Sequence, residues 1–334
     1  MVDSPIVLDS LRKDSGRVLA QSAGASLIDL DDGVLCLEFH SKGNTLDTGT
    51  LEVADRANEL IAGTFRGLVI GNQGADFSFG ANLRFLLGLL DRYEDDRTLF
   101  RDVAKRFQAL TTRMRTAPFP VVAAPFGLTI GGALELTMYA DRVQGCTDMR
   151  ASLPEIAVGI IPDLGGTSEL YARCVEACED PARGLQRAFD TIAFARSSAD
   201  ANGARALHFL QSHDAVTHDR ALLLDDAKRA VLALTPGYAA PQHRDAIPVL
   251  GDRGYEAIDV VLRDARDSGA ASDYDVEVCR ALARVMTGGA GAARTVTHAE
   301  LLDLETLYFE SLVWRPQTRA RMQHMLDHGQ PLRN

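Results

Sequence analysis

Glu135 and Glu155 are the acids whose surroundings could support chemistry. Glu135 lies early in an apolar, helix-forming run, residues 133–140, directly after Gly131 and Gly132. Glu155 follows Pro154 twenty residues later, ahead of Pro162 and the second glycine-rich turn, Gly165-Gly166-Thr167. Glycines just before a helix leave backbone N–H groups open to a ligand, because no Cβ stands in the way. Two carboxylates near such a corner suit a site that stabilises an oxyanion and moves protons. A glutamate in a first helical turn also suits the helix macrodipole, so spacing alone leaves both readings open.

The elements that must position these residues repeat an order. Residues 26–31 and 34–39 read as strands joined by the turn Asp31-Asp32-Gly33, a hairpin signal. The polar loop 40–47 carries Lys42 and Asn44, and residues 51–62 have helical periodicity. A buried strand at 67–71 leads through the loop 72–80 into helices at 82–90 and 98–115. The apolar run 121–124 then leads through Gly131-Gly132 into the helix that bears Glu135. Strand, loop and helix alternate twice with glycine at the corner, which indicates α/β architecture with ligands near those corners. Residues 1–24 read as a lead-in, with residues 9–21 as a short helix. From residue 170 the chain reads as mostly helical, with helices expected at 181–194, 199–211, 218–234, 254–268, 274–287 and 299–312. The expected division is a lead-in of 1–24, a core of 25–200 and a helical region of 201–334.

Composition narrows the function. A net charge of −11 argues against nucleic acid and anionic membrane surfaces as partners. No apolar run approaches a membrane span, and the N-terminus lacks the basic-then-apolar pattern of a signal peptide. Cys36, Cys146, Cys174, Cys178 and Cys279 form no CxxC pair, so reduced thiols in a cytoplasm are expected. Cys174 with Cys178, and His324 with His328, share helical spacing, but two ligands do not make a metal site, and no HExxH or GxGxxG unit is present. No metal is expected.

Two blocks resemble the crotonase (enoyl-CoA hydratase/isomerase) superfamily. Gly74 through Leu83, reading GADFSFGANL, is similar to the family's F-S-x-G-A-D-L turn. Residues 120–170 hold both the A-x-x-G-x-x-x-G-G-x-x-E-L and the P-E-x-x-x-G-x-x-P-x-x-G-G-T patterns. Asn44-Thr45-Leu46 is a weaker match to N-A-L, and the whole resemblance covers about residues 25–185. The rest, through residues 320–325, resembles the crotonase-like C-terminal part of bacterial 3-hydroxyacyl-CoA dehydrogenases.

This resemblance implies an α/β, ClpP/crotonase-type spiral core of repeated ββα units with a long helical C-terminal extension. It implies an acyl-CoA thioester whose carbonyl oxygen accepts two backbone N–H bonds, at positions matching Phe79 and Gly132. Glu135 would activate a water for attack at the β-carbon, and Glu155 would supply the α-carbon proton. Lys42, Asn44, Gly80, Ala81, Arg84, Pro162 and Gly165 are the expected substrate-binding residues, Lys42 and Arg84 as candidates for the CoA phosphates. The chemistry calls for no cofactor, CoA being part of the substrate. The implied activity is 2-enoyl-CoA hydration in fatty-acid β-oxidation. The alternatives are a Δ3-Δ2 enoyl-CoA isomerase or a non-catalytic acyl-CoA-binding partner of a dehydrogenase. A homo-oligomer and a separate 3-hydroxyacyl-CoA dehydrogenase are candidate partners. Asn82 replaces the usual Asp, Ala133 a third Gly and Phe79 the usual Ala, while Asp163 stands where Gly is common and reads as a turn cap.

Overall fold

Runs of apolar residues with no polar alternation need cover on both faces, which is the situation of a parallel sheet. Residues 34–39 and 67–71 are such runs, and every residue in both is buried. They form the middle of a seven-stranded sheet in the computed structural model, which describes residues 5–61, 63–242 and 244–334. Residues 1–4 of the expected lead-in, Ala62 at the end of an expected helix, and His243 lie outside the described residues.

The strands are β1 (Val18–Gln21), β2 (Ala25–Asp29), β3 (Val34–Phe39), β4 (Gly67–Gly71), β5 (Val121–Ala123), β6 (Leu128–Ile130), β7 (Arg142–Cys146), β8 (Arg150–Ser152) and β9 (Ala215–Thr217). The large sheet runs β1-β2-β3-β4-β5-β7-β9. Its first three strands are antiparallel, and from β3 onward each neighbour is parallel. Helices Thr48–Ile61 and Leu223–Leu234 pack on it, so β3 and β4 have the cover their composition demands.

The chain divides into two compact units that interleave in sequence. The first holds the described part of Met1–Asn82 with Ala109–Ala151 and Ser197–Gln242, and contains the large sheet. The second holds Leu83–Gln108, Ser152–Arg196 and the described part of His243–Asn334. It is mainly helical: Gly166–Cys178 packs on Pro181–Ala193, and Asp273–Met286 packs on Gly251–Asp267 and His298–Val313. A small antiparallel pair, β10 (Ile247–Val249) and β11 (Arg294–Val296), completes it. Some helix starts here carry side-chain caps. Asp180 accepts from the amides of Ala182 and Arg183, while Ser272 with Asp275 and Thr297 with Glu300 form capping boxes.

The units do not follow an expected boundary near residue 200, because β9 and the helix Leu223–Leu234 belong to the first unit's sheet. The lead-in is likewise structured. Its helix is only Leu8–Arg12, and Val18–Gln21 is an edge strand rather than helix. Arg12 reaches Glu38 on β3 at 2.5 Å. Glu38 is 3% exposed, and burial raises its carboxyl above the ordinary value, with Arg12 offsetting only part of the effect. A raised carboxyl holds its proton more tightly in the folded chain than in the unfolded one, so this site costs stability as pH rises past 4.5. Glu38→Gln should therefore gain relative to the parent as pH increases across that range, as read by urea unfolding at stepped pH.

Candidate active site

Two loops leave the ends of adjacent parallel strands in the first unit, residues 72–82 after β4 and residues 124–131 after β5. Buried polar side chains fix the first loop. Asn72 donates to the Phe77 carbonyl at 2.7 Å, and its Oδ1 accepts from the Gly74 amide at 2.9 Å. Ser78 Oγ donates to the Asn44 carbonyl and accepts from the Gly80 amide. The Phe77 ring sits edge-on to both Phe39 and Phe126, anchoring the loop in the apolar core. Backbone bonds then tie the loops together: Ser78 N–H donates to the Leu128 carbonyl, and Ile130 N–H donates to that of Ser78.

The corners meet at Gly80. It takes φ +77, and a Cβ there would lie 2.5 Å from the Ile130 carbonyl oxygen and 3.0 Å from the Gly132 nitrogen. Only glycine fits so close an approach of backbone to backbone. Gly132 opens the helix Gly132–Tyr139, where the first N–H groups have no intrahelical acceptor. All eight residues of that helix are buried, and Glu135 is 2% exposed. At its other end Arg115 donates to the Met138 carbonyl and lies over the Tyr139 ring, a cation where the helix dipole is negative.

The expected donor at Phe79 needs correcting. Its N–H already donates to the Gly43 carbonyl at 3.1 Å, and its ring is nearly half exposed beside Gly43. Two residues on, the Ala81 N–H has no acceptor among the described residues, and Ala81 is exposed. The open amide of this corner is therefore that of Ala81, expected from the sequence only as a binding residue. The signal was the glycine: the free amide follows the residue that makes the close approach.

Lys42 is exposed in the neighbouring loop. Asn44 is engaged in bracing, since its amide nitrogen donates to Asn72 Oδ1 at 3.2 Å and to the Asp76 carbonyl at 2.9 Å. It holds the β3 loop to the β4 loop.

In the second unit, Glu155 begins a single 3-10 turn, Glu155–Val158, and is half-buried. Pro162 is buried, and its carbonyl accepts from Thr167 Oγ1. Arg84 is exposed on the helix Leu83–Arg92. The Asp163 carbonyl accepts from Gln108. Gly165 does not present an open amide. Glu305, fully buried on the helix His298–Val313, accepts from Gly165 N–H at 2.8 Å and from the amide and hydroxyl of Ser168 at 2.6 Å each. A carboxylate from far along the chain thus caps the helix Gly166–Cys178. Nothing local in the sequence announces such a partner. Glu305→Ala would strand buried donors and is expected to cost about 2–3 kcal/mol, measurable as a lower urea midpoint.

All five cysteines are free thiols, and no cluster of metal-ligating residues occurs among the described residues. No helix among them is long and apolar enough to cross a membrane.

Residues 30–177 match the family model for enoyl-CoA hydratase/isomerase. The chain carries a crotonase-family domain. It is 38% identical over 331 residues to a probable 3-hydroxyacyl-CoA dehydrogenase of Bacillus subtilis, covering 98% of this chain but 41% of that relative. A probable enoyl-CoA hydratase of the same organism is 35% identical over 156 residues, 45% of this chain and 58% of the relative. The chain thus spans about two fifths of the first relative and under two thirds of the second. Among solved structures, an enoyl-CoA hydratase from Mycobacterium avium subsp. paratuberculosis superposes with a TM-score of 0.61 at 17% identity, over 94% of this chain and all of that one. One from Bacillus halodurans gives 0.59 at 17% identity, over 90% and 99%. At such identities these structures establish the crotonase fold and the mixed α/β architecture with its helical C-terminal region.

Proposed function

We propose that this crotonase-family chain hydrates the 2,3 double bond of a 2-enoyl-CoA thioester. The observation that carries the reading is the approach at Gly80, which brings the corner bearing the Ala81 amide against the amide of Gly132. Two fixed donors suit a thioester oxygen that gains negative charge as the thioester becomes enolate-like. Glu135, buried three residues into the same helix, is the base. It takes a proton from water as the water oxygen bonds to the β-carbon and the π electrons move through the α-carbon to the thioester oxygen. When those electrons return, the α-carbon takes a proton, which we assign to Glu155. The product is the 3-hydroxyacyl-CoA; the proton taken up by Glu135 is released and Glu155 is reprotonated through solvent, so the sum is the addition of one water.

Carboxylates at both positions favour hydration over isomerisation, which needs only one proton-shuttling acid. The relative named a probable 3-hydroxyacyl-CoA dehydrogenase supports a place in fatty-acid β-oxidation, since that name describes chemistry on this product. Exposed Lys42 and Arg84 are the proposed contacts for the CoA phosphates. The chemistry requires no metal or organic cofactor. Five free thiols support a reducing, cytoplasmic setting. Assays of the purified chain with crotonyl-CoA and with a 3-enoyl-CoA test the reading. Hydration of the first is expected, and isomerisation of the second without hydration would overturn it in favour of the isomerase. Binding with neither turnover would favour a non-catalytic acyl-CoA-binding subunit.

A further inference from the structure

The turn that carries Glu155 is too short to fix its own direction. It is one 3-10 turn, Glu155–Val158, closed by Gly159 in the left-handed region at φ +83. Its grip comes from side chains more than a hundred residues later in the chain, within the same unit. Arg321 Nη1 donates to the Ile156 carbonyl at 3.3 Å. Thr318 Oγ1 donates to the Gly159 carbonyl at 2.8 Å and accepts from the Tyr274 hydroxyl, whose oxygen lies 3.3 Å from the same carbonyl oxygen. Gly159 is seated against this pair. A Cβ on it would lie 2.9 Å from Thr318 Oγ1 and 3.1 Å from both Thr318 Cα and Tyr274 Cε1.

The grip is itself held rigid. Arg321 is 1% exposed, pairs with Asp275 at 2.8 Å, donates to the Asn334 side chain at 2.8 Å and lies over the Tyr274 ring. Asp275 is in turn fixed by the capping box at the start of the helix Asp273–Met286. Such a chain of satisfied, buried polar groups permits one arrangement of the turn. A carboxyl that must deliver a proton to one carbon gains from that restriction, because small misplacements cost large factors in rate.

We propose that Tyr274, Thr318 and Arg321 are positioning residues that set where the Glu155 carboxyl stands, making the C-terminal helices part of the catalytic apparatus. This rests on the assignment of Glu155 as the proton donor in hydration. The test is steady-state kinetics and pH–rate profiles with crotonyl-CoA for the parent, Tyr274→Phe, Thr318→Val and their double variant, with Thr318→Ser as the conservative control. The double variant should lose about tenfold or more in kcat with KM little changed, and the limb of its pH profile that reports the acid should move. Thr318→Ser, which keeps the hydroxyl, should stay near the parent. Unchanged kcat in a folded double variant overturns the clamp while leaving the hydratase reading intact. Equal losses in Thr318→Ser and Thr318→Val overturn it too, because the hydroxyl would then not matter. A parent without hydratase activity overturns both ideas, and is seen before any variant is compared.

Discussion

Glu135→Gln should lower the hydration of crotonyl-CoA by about a hundred- to ten-thousand-fold while leaving acyl-CoA affinity nearly unchanged. The range is what a positioned general base contributes to a proton transfer. The substitution keeps side-chain volume in a helix where every residue is buried, so packing gives it no reason to unfold the chain. It removes the negative charge and with it the ability to accept a proton. Steady-state kinetics supply the rate, and calorimetry with a saturated acyl-CoA supplies the affinity. A variant that still turns over within tenfold of the parent would remove Glu135 from the mechanism.

Gly80→Ala should be nearly as severe for a different reason. The new methyl would stand 2.5 Å from the Ile130 carbonyl oxygen and 3.0 Å from the Gly132 nitrogen, at a φ that side chains rarely adopt. Both atoms are backbone, so the corners must part. One donor lost from an oxyanion site typically costs about a hundred- to a thousandfold in kcat. Gly88→Ala provides the control, because nothing lies within 4 Å of a Cβ there. It should keep full activity and gain up to about 1 kcal/mol from helix propensity. If Gly80→Ala hydrates crotonyl-CoA as the parent does, the two amides do not act together.

What could be read in the chain without coordinates follows the range of the interactions involved. The hairpin of β2 and β3 announced itself through two apolar runs and the Asp31-Asp32-Gly33 turn, and β4 through an unbroken apolar run. Long amphipathic helices such as Arg97–Arg115 were legible from periodicity. β7 was not: it reads Arg-Val-Gln-Gly-Cys, and becomes a strand because β5 and β9 hydrogen-bond to it on either side. The expected helix at 199–211 stops at Ala206, with His208 at positive φ. At the site, Glu135 and the glycine corners were visible as local pattern. The engagement of Phe79 with Gly43, the cap from Glu305 and the grip of Arg321 were not, since each joins residues whose meeting only the fold decides.

The interleaving of the two units has a consequence for biosynthesis. Chain elongation delivers β3, β4 and β5 long before the helix Leu223–Leu234 that packs on them. At about 5–20 residues per second, the interval between Ala123 and Leu234 is roughly 5–20 s. For that time the apolar sheet face that this helix covers stands open, and exposed apolar surface of that kind is prone to aggregate. Any nascent fragment ending before residue 234 carries that liability permanently.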